Sequence, residues 1–162
     1  MTKLLDILTK EAETQSQMLG LKQAPTFKII QTGNIYMGTE YEYKELCNVI
    51  TDITPLYIVN VNERKLTLLL EHFVSLTNND VIKHDVIKAV LRHEIRHIFQ
   101  QEHKHLVGAT VGNCKKTELD ADKWMIKSAT TAREKILAQY LKTVIHEKHE
   151  NKLLKMALQK AY

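Results

Sequence analysis

Proline and glycine are scarce: two prolines and five glycines in 162 residues. With so few, no long flexible linker is evident, and the length suits one domain, 1–162, large enough for a real core. Cysteine is limited to Cys47 and Cys114, far apart and outside any Cys-x-x-Cys pair, so reduced thiols are expected rather than a disulfide. No apolar run approaches the roughly 20 residues of a membrane-spanning helix. From Met1 to Lys10 the apolar residues are interrupted by Lys3, Asp6 and Lys10, which excludes the continuous core of a signal peptide. A cytoplasmic protein with no membrane partner is therefore expected. Repeats and low-complexity tracts are also lacking, and a composition of 44% apolar and 26% charged residues argues against disorder.

Against this ordinary background one stretch carries chemistry: Leu91-Arg92-His93-Glu94-Ile95-Arg96-His97-Ile98-Phe99. At about 100° per residue, a helix sets His93 and His97 about 40° apart on one face. Two imidazoles at that spacing can grip one zinc ion, and Glu94 can reach a water bound to it. The alternative is a surface helix with two solvated histidines. The surrounding pattern argues against it. Asn78, Asn79 and Asp80 supply N-cap candidates. Ile82, Val86 and Ala89 form a stripe that runs on into His93 and His97, widened by Ile87, Leu91, Ile95 and Ile98. Lys88, Arg92 and Arg96 are expected on the opposite, polar side. Both histidines should thus face the core, where their nitrogens need partners.

A second helix is expected to start at Thr117-Glu118-Leu119-Asp120-Ala121-Asp122, with Thr117 as its cap and acids in its first turn. Glu118 and Asp122, four apart, share a face. Glu118 can complete a two-His, one-Glu zinc site. Asp122 can accept a hydrogen bond from the non-ligating nitrogen of His93 or His97. The bland alternative is a well-capped acidic helix start.

His93-Glu94-x-x-His97 followed by Glu118-x-x-Ala121-Asp122 resembles the gluzincin clan of zinc metallopeptidases. The small intracellular ImmA/IrrE-type enzymes of phages, mobile elements and bacteria are the nearest in size. The resemblance covers about residues 82–126. It implies a zincin-like fold, with His93, His97 and Glu118 as zinc ligands and Glu94 as catalytic base. Many such enzymes add a His or Tyr at the oxyanion, and Tyr140, His146 and His149 are the downstream candidates. In this group the substrate is often a DNA-binding repressor. Two positions depart from the pattern: Arg96 stands where many members have Gly, and Asp122 where many ImmA-like members have Asn.

His103 is an alternative metal ligand, six residues after His97 as in metzincins. Those enzymes turn the chain at a midway Gly, and here that position is Gln100. In a continuing helix His103 points about 240° away from His97.

The remaining segments read as scaffold. Thr2 to Leu19 is expected to be a helix stopped by Gly20, the N-terminal part of residues 1–20. Within 26–73 a sheet region is expected. Thr26–Gln31 and Ile35–Met37 look like a hairpin, Tyr41–Ile50 like a short helix, and Leu56–Val61 like a strand. Asn62-Glu63 reads as a turn, and Lys65–Phe73 fits either a strand or a helix. An edge strand of this sheet could bind an extended peptide. After the site helices of 80–130, with a loop from His105 to Cys114, a helical region covers 131–162, opened by a Thr131/Glu134 capping box. Its apolar face is expected to run from Ile136 to Leu158. Here Arg133, Lys135, Lys142, Lys148, Lys152, Lys155 and Lys160 face only Glu134, Glu147 and Glu150, so the tail accounts for the net charge of +4.

The fold expected is α+β and zincin-like: a small antiparallel or mixed sheet, a metal-binding helix and a helical C-terminal region. The function expected is zinc-dependent endopeptidase action on a protein or peptide substrate. Two other classes remain: a non-catalytic zinc-stabilised binding protein, and a metal-free adaptor that presents its basic helix to nucleic acid or an acidic partner. The last is disfavoured because the tail lacks interleaved aromatics for base stacking.

Overall fold

The structure is a computed structural model that describes residues 2–33, 35–42, 56–103 and 114–162. It is α+β and mostly helical. In chain order it comprises α1 (Thr2–Leu19), β1 (Thr26–Ile30), β2 (Met37–Glu42), β3 (Leu56–Asn62), α2 (Glu63–Thr77) and α3 (Ile82–Glu102). Next come α4 (Cys114–Lys127), α5 (Ala132–Leu141), a π turn (Lys142–His146) and α6 (Lys152–Ala161). No helix among the described residues is long and apolar enough to cross a membrane. The expected short helix over Tyr41–Ile50 lies, beyond Glu42, outside the described residues, as do Cys47 and nearly all of the loop from His105 to Cys114.

The three strands form one mixed sheet in the order β1-β3-β2. β1 runs parallel to β3, with Phe27 opposite Val59, and β2 runs antiparallel to it, with Thr39 opposite Val59. The expected hairpin of Thr26–Gln31 with Ile35–Met37 is therefore not made. β3 has the richest run of aliphatic and aromatic residues, and its Tyr57, Val59 and Val61 are buried at alternate positions. It takes the central place, and both earlier strands flank it. The connection between them wraps the end of β3: the Asn62 amide donates to the carbonyls of Thr32 and Gly33, and the Asn62 backbone N–H to that of Tyr36.

Asn62 also sets the conformation of the next segment. Its Oδ1 accepts the Lys65 N–H at 3.1 Å and caps α2. The leucine alternation after it is therefore helical: Leu66, Leu69 and Phe73 are buried, while Leu68 is exposed. The next junction also differs from expectation. Asn78 ends α2 in the left-handed region (φ 52°), and only Asn79 bridges forward, accepting the Val81 N–H. α3 begins at Ile82 with no side-chain cap.

α3 is the central helix. α1, α2, α4, α5 and β2 all pack on it, and its Ile82, Val86, Leu91, Ile95 and Ile98 are fully buried. That crowding overturns the expected polar side. Arg92 is 3% exposed, held by Glu11 of α1 at 2.6 Å and Glu134 of α5 at 3.4 Å. Lys88 reaches Glu134 at 3.0 Å. Covered by α1 and α5, these two cations are taken largely out of water and pair with carboxylates.

α4 begins at Cys114, three residues before Thr117, and has no acid in its first turn. Thr117 is thus inside the helix rather than its cap. Thr131 caps α5 as expected, accepting the Glu134 N–H. The Glu134 carboxylate reaches back one residue further than a capping box requires, to the N–H and hydroxyl of Thr130. The expected helical tail is made of two helices, parted after Leu141. There a π turn, with the Glu147 N–H on the Lys142 carbonyl, leads to Lys148 at φ 52° and a fresh cap at Asn151. The change of pitch turns His146 towards α4.

Candidate metal centre

α3 is straight through residues 93–97, so the two histidines share a face. Their Nε2 atoms lie 3.2 Å apart. α4 brings a carboxylate to the same point: Glu118 Oε2 lies 3.1 Å from His93 Nε2, and Glu118 Oε1 3.1 Å from His97 Nε2. His93, His97 and Glu118 form a group that could hold a metal ion. His93 is deeply buried, His97 partly so, and the Glu118 side chain is 45% exposed.

The outer nitrogens of both rings are already used. His93 Nδ1 lies 3.0 Å from Oδ1 of the buried Asp122, and His97 Nδ1 lies 2.8 Å from Gln100 Oε1. A carboxylate and an amide oxygen only accept, so each Nδ1 carries the proton. When neutral, each ring then turns a lone pair inward, onto the other lone pair and onto the Glu118 oxygens. Such a convergence of acceptors calls for positive charge within it, supplied by protons on the ring nitrogens or by a metal ion. Zinc bonds of about 2.0–2.1 Å at tetrahedral angles place ligand atoms about 3.3–3.4 Å apart. The observed separations are close to that, and the donor set of two imidazoles and one carboxylate suits the ion.

Proton affinities reflect the same field. Burial alone would lower the pKa of His93, but hydrogen bonds to Asp122 and Glu118 and the charge of Glu94 outweigh it and raise it to about 9. His97 is also raised, against its burial, by the Glu118 hydrogen bond and the Glu94 charge. Glu118 is held well below the usual carboxylate range by its hydrogen bonds to the two histidines. Asp122 is lowered despite burial, by His146 and His93. Glu94 moves the other way: burial raises its pKa, with the two histidines opposing.

Glu94 lines the same cavity, and the Thr39 hydroxyl of β2 donates to its Oε2 at 3.4 Å. The cavity, about 650 Å³, is lined by the polar His93, Glu94, His97, Glu118 and His146, by the apolar Val90, Met125, Leu141, Val144 and Ile145, and by residues 35–38. Among the described residues β2 is an outer strand of the sheet, paired on one edge with β3.

Of the three candidate oxyanion donors, His146 alone reaches the centre. Its ring stacks on His93, its Nδ1 lies 2.8 Å from the same Asp122 Oδ1, and its Nε2 lies 3.7 Å from Glu118 Oε2. Tyr140 is buried in the core against Phe73, and His149 is an exposed neighbour of Glu147. Neither lines the cavity. His103 ends α3, stacks on Phe99 and donates from Nδ1 to the Phe99 carbonyl. It belongs to no metal-holding group among the described residues.

Three participants went unnoticed in the sequence. Thr39 lies 55 residues from Glu94 with no local signal. Gln100 stood out only as the absence of a metzincin glycine, although i+3 from His97 is the same helical face. Asp120 read as helix-start charge, yet it binds Arg96 through both oxygens and accepts from Gln100. Its pKa is lowered against burial by Arg96 and Gln100. Arg96, where many gluzincins have Gly, is accommodated by that pairing and by the rings of Phe99 and Trp124 beneath its guanidinium.

No family model, characterised protein or solved structure matches this chain.

Proposed function

We propose that the chain is a zinc-dependent endopeptidase. The observation that carries this reading is the meeting of the His93 and His97 Nε2 atoms and the Glu118 carboxylate within 3.1–3.2 Å, on a cavity that Glu94 also lines. The resemblance of His93-Glu94-x-x-His97 and Glu118-x-x-Ala121-Asp122 to gluzincins agrees with it. His93, His97 and Glu118 are the residues that would hold the ion. Zinc bound by three protein ligands supplies Lewis acidity and a nucleophilic water at neutral pH.

The chain's own residues provide the rest. Glu94 accepts the proton of the attacking water and returns it to the nitrogen of the departing amine, a double role suited to a carboxyl whose pKa is raised by burial. His146, with its Nδ1–H on Asp122, donates from Nε2 to the carbonyl oxygen as it gains charge when the ring is doubly protonated. The outer edge of β2 suits an extended peptide, which would add as a further strand and lie across Glu94. A DNA-binding repressor, the frequent substrate of ImmA/IrrE-type enzymes, is the first protein to try.

The test has two parts. Elemental mass spectrometry of the metal-replete protein should give about one zinc per chain. Glu94→Gln should keep that zinc and lose about 10²–10⁴-fold in peptide hydrolysis. Full activity in Glu94→Gln, or no zinc in the unaltered chain, would refute the proposal.

A further inference from the structure

Gln100 is 3% exposed, and both ends of its amide are committed. Its nitrogen has two partners that can only accept: the Thr117 carbonyl at 2.8 Å and Asp120 Oδ2 at 2.9 Å. The amide orientation is thereby fixed by chemistry, since the reverse would set its oxygen against a carbonyl and a carboxylate. Its oxygen must face His97, and His97 Nδ1 must be the donor at 2.8 Å. Asp120 is held in turn by Arg96, with Nε at 2.8 Å and the second contact at 3.2 Å. Thr117 and Asp120 flank Glu118 on α4, and Arg96 and Gln100 flank His97 on α3. One hydrogen-bonded chain therefore ties the orientation of His97 to the helix that delivers Glu118.

We infer that Gln100 is a positioning residue for the metal centre: it fixes the tautomer and rotation of His97 and couples both to the seating of α4. The inference rests on the metal-binding reading proposed for His93, His97 and Glu118. The two histidines are oriented by different chemistry, His93 by a carboxylate and His97 by a neutral amide. Asp122 ties His93 to α4 directly, whereas Gln100 stands on α3 and ties His97 to α4 because its amide must donate as well as accept.

The experiment measures zinc affinity of the full chain by chelator competition and observes the His97 Nδ1–H by NMR in the zinc-loaded protein. Gln100→Leu removes all three hydrogen bonds, and zinc affinity should fall about 10–100-fold, with faster exchange of the His97 Nδ1–H. Gln100→Glu keeps the acceptor for His97 but loses the donor and opposes Asp120, so it should also weaken binding. Gln100→Glu with Asp120→Asn restores a donor between positions 100 and 120 but leaves the Thr117 carbonyl opposed, and should regain part of the loss. Unchanged affinity and a protected His97 Nδ1–H in Gln100→Leu would overturn the inference. So would a double variant no better than Gln100→Glu, a comparison that stands even if the leucine variant fails to fold. No zinc uptake by the unaltered chain would instead remove the metal-binding reading itself.

Discussion

Arg92→Met should be among the most costly single changes in this protein. The guanidinium is 3% exposed and lies between Glu11 of α1 and Glu134 of α5. Methionine fills much the same volume, so a cavity contributes little. The two carboxylates fare differently. Glu134 keeps Lys88 at 3.0 Å and the N–H and hydroxyl of Thr130. Glu11 keeps only the Gln15 amide at 3.2 Å among the described residues, and its side chain is 10% exposed. Removing one partner of a buried pair costs about 3–5 kcal/mol because a charge is stranded, and here the stranded charge is that of Glu11. At about 2–4 °C per kcal/mol for a chain of this size, the melting temperature should fall by roughly 6–20 °C. Urea unfolding followed by circular dichroism at pH 7 measures the loss directly. Adding Glu11→Gln to Arg92→Met should recover at least about 2 kcal/mol, since a neutral amide has no charge to strand. A loss below about 1 kcal/mol in Arg92→Met, or no recovery in the double variant, would refute the argument.

Zinc content should drop to near zero in His97→Ala and Glu118→Ala and stay near one per chain in His103→Ala, read by elemental mass spectrometry. Loss in the His103 variant would move the third ligand away from Glu118. Burial by itself would raise the pKa of Glu134, but hydrogen bonds from Thr130 and Lys88 lower it to about 2. Its contribution, about 3 kcal/mol, is therefore fully present above its ordinary pKa near 4.5 and is lost as pH falls from there towards about 2. Glu134→Gln should lack that part of the acid dependence when unfolding is compared at pH 6 and pH 3. Asn62→Ala removes the α2 cap and both anchors of residues 32–33, and should cost about 1–3 kcal/mol in the same urea assay, with an unchanged result excluding the anchoring role.

The parts of the site that a reader of the sequence could find are those fixed by one helix. His93, Glu94 and His97 follow from the 3.6-residue period, and Glu118 and Asp122 fall together for the same reason. Their meeting across 21 residues follows from donor chemistry: buried imidazoles need partners, and α4 carries the acids. What a single helix does not encode was harder to see. Arg92 looks like a surface cation until α1 and α5 close over it. The hairpin signal around Thr32-Gly33 was local and sound, but β3 is a better partner for both strands than either is for the other. The leucines after Asn62 fit two periods equally well until the cap selected one.

The π turn at Lys142–His146 makes the protein sensitive to chain length at one point. The Glu147 N–H bonds the carbonyl five residues back, so this turn holds one residue more than an α-helical turn would. Removing one residue between Lys142 and His146 would let the same Glu147 N–H close an α turn and draw in the widened backbone that carries Val144, Ile145 and His146. His146 would leave Asp122, and Val144 and Ile145 would leave the cavity wall, while α6, separately capped by Asn151, could refold intact beyond the break. A one-residue gain or loss here acts on His146, Val144 and Ile145 together, where a side-chain replacement acts on one of them.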